Sequence, residues 1–144
     1  MNQLAFHDHF SAVAAQYASA RPEYPAALFD WIAQVAPART QAWEAGCGSG
    51  QASRDLAARF ARVFATDPSA AQVAQASAPS NVRFAVEPGE RCSLPDASVD
   101  AACVAQALHW FDRPAFYAEV RRVLRPGGVL AAWTYGHPVL DNPR

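Results

Sequence analysis

Five short apolar runs alternate with helix-compatible segments along most of this 144-residue chain. We interpret the runs as strands, at residues 41–45, 62–66, 81–86, 99–105 and 128–134. Strands that alternate with helices form a mostly parallel sheet through right-handed crossovers, and the helices then cover both faces. The pattern therefore predicts an α/β fold with a helix layer on each side of the sheet.

The segments between these strands are predicted helices, at residues 50–60, 69–77 and 113–124. Asp112 can cap the last of them, and Pro114 suits its first turn. Two more helices precede the sheet, one over residues 4–18 and one after Pro25 with an apolar stripe that would face the core, formed by Leu28, Phe29, Ile32 and Val35. We predict a helical cap or lid over residues 1–39 and the sheet domain over residues 40–144.

Composition and charge exclude several classes of protein. The chain has 12 basic residues, all of them arginine, and 13 acidic ones, for a net charge of -1. This balance gives no electrostatic reason to expect nucleic acid or an anionic membrane as a partner. We find no apolar stretch of membrane-spanning length and no signal-peptide pattern. The three cysteines lack metal-ligand spacing, so we predict a cytoplasmic protein with reduced thiols and no metal site, the thiols being Cys47, Cys92 and Cys103.

The segment after the first predicted strand reads EAGCGSGQ and carries Gly46, Gly48 and Gly50. In a parallel sheet, a glycine-rich turn at this place lets a ligand approach the backbone amides. The dinucleotide fingerprint requires a glycine three residues after Gly48, and this chain has Gln51 there. Glu44 would repel a pyrophosphate, but its carboxylate suits a cationic ligand such as an ammonium or a sulfonium.

Asp67 ends the second predicted strand. A carboxylate there can accept hydrogen bonds from both hydroxyls of an adenosine ribose. The alternative is that Asp67 caps a helix that starts at Pro68, and the two roles are compatible. We favour ribose binding because the acid occurs together with the glycine loop.

With these residues in place, the chain resembles the class I S-adenosylmethionine-dependent methyltransferases, in particular the methyltransferase type 11 domain. Their first motif is an acidic residue followed by G-x-G-x-G, which Glu44 and the three glycines match, and Asp67 fits their acidic position after the second strand. Residues 93–112 and 120–133 look like the family's fourth-strand region and its turn into the fifth strand. Residues 17–25, YASARPEYP, are similar to a segment of the trans-aconitate methyltransferase-like branch.

The resemblance implies a Rossmann-like αβα sandwich, preceded by N-terminal helices, with S-adenosylmethionine as the cofactor. The three glycines would pass beneath the methionine part of the cofactor, and Glu44 would help to orient that part. Asp67 would hold the ribose, and Gln106 would line the methionine side. Cys47 belongs to the same loop, where a small side chain under the turn is favoured over a nucleophile.

Further cofactor contacts follow from the same resemblance. Gly89 and Glu90 would lie beside the adenine, but this chain has Pro88 where many relatives have an acid that accepts from the adenine amine. Tyr17 and Arg21 would close over the cofactor as a lid, with Arg21 paired to its carboxylate. The alternative for both is packing between two helices and exposure at the surface.

Two side chains after the fourth strand bear on the methyl acceptor. His109 is either a general base or a packing residue in an aromatic stretch, and packing is the more common role. A carboxylate acceptor, as in the aconitate-like branch, needs no base. Arg21 and Arg113 would suit an acidic small-molecule acceptor.

Relatives usually have seven strands, and this chain supplies about five. The resemblance therefore implies a C-terminal truncation that leaves strand five as an exposed edge, and such an edge favours a homodimer or another partner chain. Three functions stay open: a small-molecule methyltransferase, which we favour, a non-catalytic S-adenosylmethionine-binding module that acts through a partner, and a nicotinamide-dependent oxidoreductase, which Gln51 disfavours.

Overall fold

A computed structural model describes residues 24–134 of the chain. Ten elements occur there, in the order helix α1, strand β1, helix α2, strand β2, helix α3, strands β3 and β4, a 3-10 helix, helix α4 and strand β5. The helices are α1 Ala26–Val35, α2 Gln51–Ala57, α3 Ala70–Ala74, the 3-10 helix Leu108–Trp110 and α4 Arg113–Val123. The strands are β1 Gln41–Ala45, β2 Arg62–Asp67, β3 Val82–Val86, β4 Val99–Ala105 and β5 Leu124–Trp133.

The five strands form one sheet in the order β3-β2-β1-β4-β5, and every pair is parallel. From β1 the chain adds β2 and then β3 on one side of β1. It then crosses back and adds β4 and β5 on the other side of β1. The strand order therefore switches between β1 and β4, and ligands of open α/β sheets bind at the carboxyl ends of the strands at such a point. The predicted Rossmann-like fold is confirmed.

Two apolar clusters hold the layers together, one on each face of the sheet. On one face, Phe29 and Ile32 of α1 and Leu56 of α2 pack with small and β-branched strand residues. On the other face, α4 covers Trp43 of β1, whose ring centroid lies 5.9 Å from that of Phe116. Burial on both faces explains the near-continuous apolar sequence of the central strands β1, β2 and β4.

The predicted stripe of α1 was correct at its centre and wrong at its end. Phe29 and Ile32 are fully buried, but Val35 is 41% exposed. Val35 is the last residue of the helix. Ala33, one residue after Ile32, is buried instead, so the buried face is turned away from Val35. The predicted helix over residues 4–18 lies outside the described residues.

Strand β5 starts four residues earlier than predicted. Leu124 already pairs with Val99, the next paired residues are Ala101 and Val129, and the register is irregular between them. The Arg-Pro-Gly-Gly segment, residues 125–128, thus follows the end of helix α4 and forms an irregularity inside strand β5. Gly127 adopts φ +81° there, a conformation that glycine accepts without strain.

Asp100 fixes the amino-terminal end of the sheet by contacts with β1 and β5. Its Oδ2 accepts hydrogen bonds from the backbone N–H of Thr40 at 3.0 Å and of Gln41 at 3.1 Å. Its Oδ1 accepts from the Arg125 guanidinium at 2.9 Å. Burial raises the pKa of Asp100, but the hydrogen bonds from Gln41, Arg125 and Thr40 outweigh it and hold the pKa below its ordinary value.

Helix α4 carries an ion-pair network that the sequence did not reveal. Arg121 is exposed, whereas the neighbouring Arg122 pairs with two acidic side chains. Its guanidinium donates to Glu119 at 2.7 Å and to Asp96 at 2.8 Å. Glu119 also accepts from the backbone N–H of Cys92 at 2.7 Å. These contacts, the Arg122 bond first among them, lower the pKa of Glu119 to about 2.

Glu119→Gln is expected to weaken the acid dependence of stability. Because the folded pKa is depressed, ionised Glu119 stabilises the fold above its ordinary pKa of 4.5, and this contribution disappears as the pH falls from there towards 2. Urea unfolding at pH 7, 5, 4 and 3 measures the effect. The variant should be less stable at pH 7 and lose less stability on acidification than the parent chain.

The control is Asp30→Asn, which removes one carboxylate from an exposed ion pair with Arg59. An acid dependence in Glu119→Gln that equals that of the parent chain would contradict the assignment.

Candidate active site

The glycine loop, residues 46–50, joins the carboxyl end of β1 to helix α2. Gly46, Gly48 and Gly50 adopt φ of +69°, +56° and +88°, a region that residues with side chains rarely occupy. The loop is closed by hydrogen bonds from Cys47 N–H to the Thr66 carbonyl at 2.8 Å and from Gly50 N–H to the Cys47 carbonyl at 3.0 Å. The predicted bare backbone therefore lies at the switch point of the sheet.

Close packing is a second reason for glycine in this loop. A Cβ on Gly46 would lie 2.5 Å from the Cβ of Ala107, and a Cβ on Gly50 would lie 2.8 Å from the ring of Phe84. Real Cβ atoms essentially never show such distances. The loop therefore packs against the segment after β4 at Gly46 and against strand β3 at Gly50.

Asp67 holds this loop in place. Its Oδ2 accepts from the Gly48 N–H at 2.9 Å, and its Oδ1 accepts from the Ser69 N–H at 2.8 Å. The side chain is only 7% exposed. The capping alternative was wrong in detail, because α3 starts at Ala70 and its N-cap is Ser69, whose Oγ accepts from the Gln72 N–H at 3.2 Å.

Glu44 lies beneath the loop and is 1% exposed. Its Oε1 accepts a hydrogen bond of 2.5 Å from the Oγ of Ser53 on α2. Ser53 was not among the predicted residues, although its place one turn into the helix that follows the loop is a usable signal. Glu44 and Asp67 together put two buried carboxylates beside the glycines.

Cys47 is buried in the same loop, and its thiol has a raised pKa. Burial is the main cause, and the negative charges of Glu44 and Asp67 add to it. A thiol that stays protonated is a poor nucleophile. The predicted role of a small side chain under the turn agrees with this environment.

Gly89 and Glu90 brace the segment that follows β4. A Cβ on Gly89 would lie 2.7 Å from the ring of Phe111, so glycine permits that ring to pack there. The Oε2 of Glu90 accepts from the Asp112 N–H at 2.7 Å. Pro88 is exposed beside them. Phe111 was missed in the sequence because only the folded chain brings it to Gly89.

Gln106 follows β4 with φ +68°, a rare conformation for a residue with a long side chain. Its backbone N–H donates to the Trp133 carbonyl at 2.7 Å. Its side-chain Nε2 donates to the Tyr24 hydroxyl at 3.2 Å, and its Oε1 accepts from the Thr134 hydroxyl at 3.2 Å. Gln106 therefore ties the start of α1 and the end of β5 to the switch point.

A cavity of about 280 Å³ lies beside Gln106, where β4 and β5 end. His109 and Arg113 line it together with an apolar wall that includes Leu108, Ala132 and Trp133. The His109 and Trp110 rings lie 4.3 Å apart between centroids. The structure thus places the predicted acceptor residues His109 and Arg113 in one cavity. Tyr17 and Arg21 lie outside the described residues.

The described part of the chain contains neither a metal-ligand cluster nor a helix that could span a membrane. Across residues 24–134, His, Cys, Asp and Glu side chains form no group of three or more that could hold a metal ion. In the same range, the helices lack the length and apolar character that a membrane span requires.

A glycine loop at the switch point of a parallel sheet defines a ligand-binding α/β domain. Residues 43–132 match the family model described as a methyltransferase domain, and the chain belongs to this family. The match includes the glycine loop, Asp67, Gln106 and the cavity residues His109 and Arg113.

Relatives and solved structures agree with this membership. The chain is 39% identical over 138 residues to a methyltransferase-named protein of Dictyostelium discoideum, covering 95% of this chain and 52% of that protein. It is similar to the structure of a type II methyltransferase from Anaeromyxobacter dehalogenans, with 58% identity, a TM-score of 0.79, and coverage of 81% of this chain and 50% of that one. It also resembles DhpI in complex with SAH, with 27% identity, a TM-score of 0.69, and coverage of 91% and 68%.

The chain spans about half the length of the curated relatives it matches, 52% of the Dictyostelium protein and 49% of a methyltransferase-named protein of Mycobacterium tuberculosis.

Proposed function

We propose that this chain binds S-adenosylmethionine and transfers its methyl group to a small-molecule acceptor. The observation that carries the proposal is the glycine loop, held by the Asp67–Gly48 hydrogen bond above buried Glu44 in a methyltransferase-family fold. The structure of DhpI with SAH, a protein similar to this chain, supports the choice of cofactor.

The residues present suit such a cofactor. Two buried carboxylates beside a bare loop favour a cationic ligand, and they disfavour a pyrophosphate. Both oxygens of Asp67 accept backbone N–H groups, and a carboxylate is the kind of acceptor that a ribose hydroxyl requires. When bound, S-adenosylmethionine supplies a methyl group made reactive by its sulfonium.

Other cofactor contacts remain part of the proposal. Gly89 and Glu90 would border the adenine, with Pro88 at the position of the missing acid. Gln106 would line the methionine side, and Tyr17 and Arg21 would close over it as a lid. This division of the chain into a cap at residues 1–39 and a core at residues 40–144 follows the same proposal.

The acceptor would bind in the cavity lined by His109 and Arg113. The apolar wall would hold the body of the acceptor, and Arg113 offers a guanidinium for an acidic group. Orientation and water exclusion alone can contribute about 7–11 kcal/mol at best. A carboxylate acceptor needs no base, in which case His109 packs against it; for a neutral acceptor, His109 is the candidate general base.

Arg113→Gln is expected to raise the KM for carboxylate acceptors by about 10-fold or more, because an ion pair in the cavity is lost. The affinity for S-adenosylhomocysteine should stay unchanged. The measurement is transfer of radiolabelled methyl from S-adenosylmethionine to a panel of mono-, di- and tricarboxylic acids. Arg121→Gln, on the exposed side of the same helix, is the control. Equal effects of the two variants would remove Arg113 from acceptor binding.

The test of the proposed function is calorimetric titration of the folded chain with S-adenosylmethionine, S-adenosylhomocysteine and NAD. Micromolar binding of the first two is expected. Binding of NAD alone would support the oxidoreductase hypothesis. Binding of S-adenosylmethionine with no transfer to any acceptor would support a non-catalytic module that acts through a partner.

Two further proposals concern the oligomeric state and the cellular compartment of the protein. Within residues 24–134, β5 pairs on one side only, and Leu130 is 37% exposed on it. We propose a homodimer through this edge, which sedimentation velocity would test.

All three cysteines are free, which supports a reducing compartment such as the cytoplasm.

A further inference from the structure

A groove of about 480 Å³ lies where β1, β2 and β3 begin, at the opposite edge of the sheet from the glycine loop. Gln41, Arg62, Phe64 and Arg83 line it together with the chain around Asn81. Among the described residues, none of those that line it is acidic. We call it the cationic groove.

Arg62 is exposed on this groove and is hydrogen-bonded to Gln41. Its Nε and Nη2 donate to the Oε1 of Gln41 at 3.3 Å and 3.1 Å. Gln41 and Arg62 are register partners on adjacent parallel strands, so the two side chains share one face of the sheet. The Nη1 of Arg62 makes no hydrogen bond within residues 24–134 and can donate to a ligand.

Arg83 is fixed by stacking instead. Its guanidinium carbon lies 4.5 Å from the centroid of the Phe64 ring, and Phe64 is only 2% exposed. Phe64 and Arg83 are register partners, which places Arg83 on the same face as Arg62. Stacking occupies the flat side of a guanidinium and leaves its N–H edge for hydrogen bonds.

No carboxylate within residues 24–134 balances the charge of these two cations. Arg59, Arg122 and Arg125 each pair with Asp or Glu. Across the described part of the chain, Arg62 and Arg83 pair with neither, although like charges on diagonal positions of adjacent strands repel each other. An oxyanion between them would remove this repulsion.

We propose that the cationic groove binds the phosphate group of a small molecule. Two guanidinium edges can share the several oxygens of one phosphate, whereas a single carboxylate is matched by one guanidinium. A groove of this size also has room for a small organic body beside the phosphate. This site is independent of the proposed methyl transfer.

The test is titration of the chain with inorganic phosphate, followed by backbone amide NMR at constant ionic strength. We expect saturable shifts at residues 62–64 and 81–83 rather than at residues 46–50. Arg62→Gln should weaken phosphate affinity about 5-fold or more, and Arg62→Gln with Arg83→Gln should abolish saturation. Arg121→Gln, which removes the same charge elsewhere, should leave the affinity unchanged.

The same amide spectra show whether the double variant keeps its fold, because residues 46–50 lie at the other end of the sheet and should keep the chemical shifts of the parent chain. If that chain fails to fold, Arg62→Gln alone decides the question. Unchanged phosphate affinity in the Arg62 variant, or equal shifts with acetate, would overturn the proposal.

Discussion

Gly48→Val is expected to abolish S-adenosylhomocysteine binding by a chain that still folds. Gly48 adopts φ +56°, and its N–H donates to Asp67 at 2.9 Å. A left-handed backbone costs a residue with a side chain roughly 1–2 kcal/mol, and more when that side chain is β-branched. The loop must then leave the carboxylate that holds it. We expect affinity to fall on the order of 100-fold or more in calorimetric titration, about 2.7 kcal/mol.

Gly127→Val is the matched control for this variant. Gly127 adopts φ +81°, and a Cβ there would lie at an ordinary 3.8 Å from Pro37. The substitution introduces similar backbone strain in β5, away from the glycine loop. Its Tm should fall while its affinity for S-adenosylhomocysteine stays that of the parent chain. The same loss of binding in both variants would mean that general destabilisation, and not the loop, is responsible.

Asp67→Ala is expected to lower both stability and cofactor affinity. The backbone N–H groups of Gly48 and Ser69 would each lose a buried acceptor, and an unsatisfied buried donor costs about 1–3 kcal/mol. The ribose would lose its proposed partner as well. We expect a Tm that is several degrees lower and an affinity reduced by about 10-fold or more, measured by calorimetry well below that Tm.

Ser69→Ala separates helix capping from loop support. It removes the acceptor of the Gln72 N–H, at a cost of about 1 kcal/mol, and leaves the Asp67 contact with Gly48 in place. Its affinity for S-adenosylhomocysteine should be normal. If Asp67→Ala also bound normally while folded, Asp67 would have a structural role only.

Local patterns were sufficient to predict the strands and their order of occurrence. The central strands β1, β2 and β4 are apolar runs because both faces of the sheet are covered there. The capping of α4 by Asp112 is a local signal that the structure confirms. The position of the glycine loop followed from its place after the first strand. The family membership then agreed with the motif resemblance, whereas the aconitate-like branch stays a prediction.

Contacts between distant segments could not be predicted in the same way. The Ala107 methyl beside Gly46 and the Phe84 ring beside Gly50 are set by how β3 and β4 join the sheet. Arg122 has a salt bridge because the chain before β4 returns to α4. Nothing local in the Arg-Pro-Gly-Gly segment indicates that it lies inside β5. In each case the missing information is tertiary, since no local period encodes it.

Phe111 gives the site an unusual dependence on one side chain. Its ring lies 3.3 Å from where a Cβ on Gly46 would be and 2.7 Å from where one on Gly89 would be. One aromatic ring therefore separates the glycine loop, which is proposed to contact the methionine part of the cofactor, from Gly89, which is proposed to contact the adenine. A larger or smaller side chain at position 111 would therefore shift both segments together, and the distance between the glycine loop and Gly89 depends on this one residue.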